Sequence, residues 1–104
     1  MSEVADITLE QIIARLRELA PAIKAEGVTK LAIFGSRARG DARPDSDLDV
    51  LVETLPRTLS APFDLFKVQH LIEDTVSVPT QVSVRDLLKS RVAERIADDL
   101  IEVF

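Results

Sequence analysis

The chain has 104 residues, 46% of them hydrophobic and 30% charged, which supports one modest core and argues against a disordered chain. Thirteen basic residues against 18 acidic ones give a net charge of -5, the opposite of the balance in a non-specific nucleic-acid binder. With no Cys, one His and four Phe as its aromatic residues, the sequence excludes disulfides, thiolate zinc sites and multi-histidine metal centres, and disfavours an aromatic base-stacking platform.

No apolar run approaches the roughly 20 residues of a membrane span. The start, MSEVADITLE, is acidic and lacks the basic and apolar regions of a signal peptide. The expectation is a cytoplasmic chain folded as a single domain over residues 1–104.

The first helical signal is Thr8-Leu9-Glu10-Gln11, a Thr-x-x-Gln capping box. Leu9, Ile12, Ile13, Leu16, Leu19 and Ile23 follow at helical spacing as one apolar stripe. Pro21 predicts a kink there, or a short second helix ending at Gly27. Val28 to Phe34 reads as a strand, and its run Leu31-Ala32-Ile33-Phe34 suits a strand covered on both faces. Ser36 then reads as the N-cap of one short turn before Gly40, and residues 41–46 as a polar loop. Asp47 to Val52 is the second strand. The segment with two prolines up to Pro62 is a loop, and a helix covers Phe63 to Thr75. Thr80 to Val84 is the third strand, and residues 85–100 are helical in composition, with a break near Ser90. The order predicts an α/β fold, a small sheet with helices packed against it.

The informative stretch is Gly35-Ser36-Arg37-Ala38-Arg39-Gly40, then a loop, then Asp47-Leu48-Asp49. A glycine at a strand end lets backbone approach a ligand closely, and the free N–H groups of the following turn attract phosphate. The Ser36 hydroxyl can donate to a phosphate oxygen. Asp47 and Asp49 are two apart on a predicted strand, so both face one side, with Cα atoms roughly 6.6 Å apart. Two such carboxylates invite a cation, and Mg²⁺ takes one or two carboxylates plus substrate phosphates. Ten residues lie between Ser36 and Asp47, enough to fold both features to one end of the sheet. Arg37, Arg39 and Arg43 lie in that connection and could neutralise a triphosphate. Taken singly, a capped turn, a solvated strand edge and a charged loop explain the same residues, and the residues alone leave those alternatives open.

Gly-Ser, ten residues, then Asp-x-Asp resembles the signature of the polymerase-β-type nucleotidyltransferases. The segment LAIFGSRARGDARPDSDLDVLV looks like their minimal members, the MntA-like proteins, and the flanking helices fall where those proteins place theirs. The resemblance implies a small mixed β-sheet flanked by helices, the nucleotidyltransferase fold. It implies ATP bound at Gly35, Ser36 and Arg37, and Mg²⁺ at Asp47 and Asp49, with Ser36, Asp47 and Asp49 as the catalytic set. It also implies an antitoxin in a hetero-oligomer with a HEPN-domain toxin RNase, silencing it by adenylylating a tyrosine, without direct nucleic-acid binding.

The sequence departs from the family at one place. Similar proteins carry a third carboxylate on the next strand, and the matching position in Pro79-Thr80-Gln81-Val82-Ser83-Val84 is Gln81. An amide can neither take a proton nor supply an anionic ligand. Three outcomes follow: a slow enzyme working through Asp47 and Asp49, a substitute acid such as Glu53 or Asp86, or a partner that binds without chemistry. A stand-alone antibiotic- or nucleic-acid-modifying transferase is disfavoured, because those proteins add domains to hold the acceptor. His70 is read as a surface residue, and Phe34, Phe63 and Phe66 as core. The apolar tail Leu100, Ile101, Val103 and Phe104 either docks on the domain or forms an interface.

Overall fold

In the computed structural model, residues 7–60 and 62–104 are described. Helix α1 (Leu9–Ala25) starts at the expected capping box. The Thr8 hydroxyl accepts from the Gln11 N–H at 3.1 Å, and the Gln11 side-chain oxygen accepts from the Thr8 N–H at 2.9 Å. Its apolar stripe buries Ile12, Leu16 and Ile23. The expected break at Pro21 does not occur, and one helix runs through it. Pro21 lies on the exposed side, where water can satisfy the carbonyl it leaves unpaired, while the fully buried Ile23 holds the last turn to the core.

Strand β1 (Val28–Phe34) leads into the one-turn helix α2 (Ser36–Arg39), and strand β2 (Leu48–Thr54) follows the loop. Helix α3 (Leu65–Val76) is capped by Asp64, whose carboxylate accepts from the Lys67 N–H at 3.1 Å. Strand β3 (Thr80–Val84) is followed by a 3-10 turn (Arg85–Leu87), helix α4 (Ser90–Ile96) and a second 3-10 turn (Ala97–Asp99). The long final helix expected from composition is thus three short pieces. A two-residue strand β4 (Ile101–Glu102) ends the order, and no hydrophobic pattern of that length announces it.

The sheet order is β3-β2-β1-β4, with β1 antiparallel to both neighbours and β2 parallel to β3, so the sheet is mixed and flanked by helices as expected. One face carries Leu31, Ile33, Leu48, Val50, Val52, Val82 and Val84 into the core against α1 and α3. By strand alternation the other face carries Ala32, Phe34, Asp49, Leu51 and Gln81. That face is covered only in part: Ala32 and Phe34 are half-buried, a correction to the reading of β1 as covered on both sides. The outer edge of β3 is blunted by α3, where Glu73 accepts from the Thr80 N–H at 2.9 Å and Gln69 from the Val82 N–H at 3.2 Å.

The apolar tail docks. Val103 is 4% exposed, its N–H donates to the Leu31 carbonyl at 2.8 Å, and the Leu31 N–H donates to the Phe104 carbonyl at 3.0 Å. The Lys24 ammonium lies 5.2 Å from the Phe104 ring centre. Phe63 packs against the core, but Phe66 is 68% exposed, so its assignment to the core is corrected. His70 is exposed.

Candidate functional site

The site is built where β1 ends. Phe34 is the register partner of Asp49 on β2, and Asp49 is the partner of Gln81 on β3, so the three stand in one row across the sheet. Leu48 between the two acids is fully buried, which turns Asp47 and Asp49 together toward the open face. Asp47 lies one residue ahead of β2, not within it as expected, and is exposed, while Asp49 is half-buried.

Gly35 joins the turn to this pair. Its backbone sits at φ 80°, ψ -159°, a region essentially reserved for glycine. A Cβ there would collide with the Asp49 carboxylate. The glycine therefore permits both the reversal of chain direction and the close approach of turn to acid.

Gly35, and not Ser36, is the N-cap of α2; Ser36 is its first helical residue. The Ser36 carbonyl accepts from the Gly40 and Asp41 N–H groups, both at 3.0 Å, whereas its hydroxyl makes no hydrogen bond among the described residues. It remains available to an anion arriving at the turn.

The Arg37 side chain, expected at the nucleotide, makes its hydrogen bonds to the protein's own loop. It is buried, at 6% exposed, and its guanidinium turns back onto the loop. The Nε donates to the Ser46 carbonyl at 3.1 Å, and Nη2 donates to the carbonyls of Ser46 at 2.9 Å and Pro44 at 3.2 Å. The Ser46 hydroxyl accepts from the Arg43 N–H at 2.9 Å and closes the same turn. Arg37 thus fixes the loop that delivers Asp47, because a planar guanidinium can satisfy several carbonyls at once. Arg43 is exposed.

Arg39 is the basic group whose charge reaches the acids. It bridges Asp41 at 3.2 Å and Asp99 at 2.8 Å, which ties α2 to the second 3-10 turn. The Asp49 carboxyl is pushed above its ordinary range, first by burial and then by the neighbouring Asp47 charge, with Arg39 opposing. Sequence reasoning missed Asp99, which lies 60 positions from Arg39 in the chain, with no local pattern to mark it.

The two substitute acids do not join the site. Glu53 is four residues beyond Asp49 on β2, about 13 Å along the strand. Asp86 is held by Arg57 through two contacts of 3.1 and 2.9 Å. Among the described residues no three His, Asp or Glu gather around one ion position. Hard carboxylate oxygens at Asp47 and Asp49, beside a turn that leaves the Ser36 hydroxyl free, fit one divalent cation carried with a phosphate ligand.

A family model described as a nucleotidyltransferase domain matches residues 9–103. The chain is 28% identical over 103 residues to the protein adenylyltransferase MntA of Thermococcus cleftensis, covering 96% of this chain and 100% of that one. The solved structure of a candidate minimal nucleotidyltransferase superposes with a TM-score of 0.76 at 30% identity, covering 93% of this chain and 97% of that chain. A chain in the structure of a tri-AMPylated Shewanella oneidensis HEPN toxin in complex with MNT antitoxin superposes at a TM-score of 0.65. There the identity is 8%, covering 93% of this chain and 72% of that chain, a likeness of fold.

Proposed function

The chain belongs to the nucleotidyltransferase domain family, and from that premise we propose that it is an antitoxin that transfers AMP from ATP to a hydroxyl, a tyrosine, of a HEPN-type toxin. The observation that carries the reading is the packing of Gly35 against the Asp49 carboxylate, which brings the phosphate-binding turn and the acidic pair to one rim of the sheet. The adenylyltransferase relative from Thermococcus cleftensis and the AMPylated HEPN toxin of the Shewanella oneidensis complex support transfer of AMP and a HEPN toxin as its acceptor.

In this mechanism Asp47 and Asp49 hold Mg²⁺. When bound there, the ion would supply positive charge against the phosphates and the leaving pyrophosphate. The Ser36 hydroxyl and the backbone N–H groups at the start of α2 hold phosphate oxygens. Arg37 keeps the 43–46 loop closed so that Asp47 stays beside Asp49. In the transfer, the acceptor oxygen bonds the α-phosphorus, the bond to the bridging oxygen breaks, and pyrophosphate leaves. The acceptor's proton passes to water, since a neutral amide occupies the position opposite Asp49. A positioned base is worth about 10²–10⁴-fold, so turnover is slow. In this reading the chain works in the cytoplasm, and its acidic balance suits a protein that covers a partner's surface rather than one that binds nucleic acid.

The test is the intact mass of a HEPN-type partner after incubation with ATP and Mg²⁺. A gain of AMP that Asp47→Asn abolishes supports transfer, and no adduct under any condition rejects it. Gln81 favours a second reading, in which the chain neutralises its partner by binding alone. Neutralisation that survives the double substitution Asp47→Asn, Asp49→Asn selects that reading.

A further inference from the structure

Strand register fixes what surrounds the acidic pair. In the row that contains Asp49, the neighbour on β1 is Phe34 and the neighbour on β3 is Gln81. The next row inward is Ala32, Leu51 and Ser83. Adjacent strands are about 4.8 Å apart, so Gln81 is the β3 residue within reach of an ion lodged against Asp49. Asp41 and Asp99 are engaged with Arg39. Among the described residues, the anionic oxygens the rim offers an ion are therefore those of Asp47 and Asp49.

Two cations in one site stand about 3.5–4 Å apart and repel each other strongly. They persist only where anionic ligands lie between and around them. A phosphate-borne cation uses Asp47 and Asp49 directly. A second, on the acceptor side, would need an anion from β3, and an amide brings no charge. The donors among the described residues fit one ion and do not fit two.

From this geometry we infer that the chain binds one divalent cation per nucleotide, at Asp47 and Asp49, and that Gln81 is the residue that leaves the acceptor-side position without a cation. The inference rests on the nucleotide-binding reading above. Gln81 is exposed at the rim, so replacing it leaves the core untouched.

The test counts bound Mn²⁺ by electron paramagnetic resonance, with a non-hydrolysable ATP analogue and the analogue's own binding measured in the same samples. Wild type is expected to hold one Mn²⁺ per bound analogue, and Gln81→Asp two. Gln81→Glu, with circular dichroism to verify folding, provides a second acid at the same place. Two ions per analogue in wild type overturn the inference. One ion in both acid variants overturns the role given to Gln81. Failure of the analogue to bind at all rejects the function proposed above, and this inference with it; the separate binding measurement distinguishes that outcome from the other two.

Discussion

Replacing Gly35 with Ala puts one methyl group at the junction of turn and acid. Two costs arise there. Alanine at φ 80°, ψ -159° carries backbone strain of about 2 kcal/mol. The methyl also displaces the Asp49 carboxylate, and holding that side chain away from its rotamer costs about 1 kcal/mol more. The sum of about 3 kcal/mol corresponds to a drop in Tm of about 15 °C for a chain of this size. A double-mutant cycle with Asp49→Ala separates the two costs. Truncating Asp49 removes the carboxylate and its Cγ, which would lie 3.2 Å from the new methyl, and leaves its Cβ at 3.4 Å, an ordinary contact. The backbone strain remains and the collision goes, so the two substitutions couple by about 1 kcal/mol. The assay is thermal or urea unfolding of the four proteins. Additive effects, or an unchanged Tm in Gly35→Ala, would refute the contact between turn and acid.

The raised Asp49 carboxyl makes a pH prediction. Because its folded value lies above its ordinary 3.8, the folded state takes up the proton more readily. The charged form weakens the fold at neutral pH, and the penalty fades as pH falls through the raised value. Asp49→Asn therefore stabilises the metal-free protein at pH 7 by about 0.5 kcal/mol, since solvent screens most of the effect, and the gain vanishes in acid. Added Mg²⁺ with ATP stabilises wild type but not this variant, read as a shift in Tm. Arg37→Lys retains the charge but cannot span the carbonyls of Pro44 and Ser46; it costs about 2 kcal/mol in urea unfolding, where an equal midpoint would show the guanidinium idle. Removing Val103 and Phe104 strips the Leu31 N–H and carbonyl of partners and exposes a buried valine, lowering stability by about 3 kcal/mol.

Much of this arrangement was legible in the sequence because its causes are local. The capping box at Thr8 and Gln11 fixes the start of α1 by two hydrogen bonds within one turn. The run from Val28 to Phe34 ends at Gly35 because only glycine tolerates that backbone. Leu48 between two acids dictates which way they face. The remainder depends on distant partners. Arg37 looks like any loop arginine until the fold brings three carbonyls around it. The bond between Arg39 and Asp99, and the pairing of β4 on β1, join the middle of the chain to its last residues. Pro21 misled for the opposite reason: a strong local rule was overridden by the tertiary burial of Ile23.

The claim beneath all of this is that Gly35, Ser36, Asp47 and Asp49 act together on one nucleotide. Isothermal titration of ATP into the protein with Mg²⁺ tests it directly. The expected result is saturable uptake that is lost with chelator and in the double substitution Asp47→Asn, Asp49→Asn. No heat of binding in wild type, or undiminished uptake in the double variant, would contradict it.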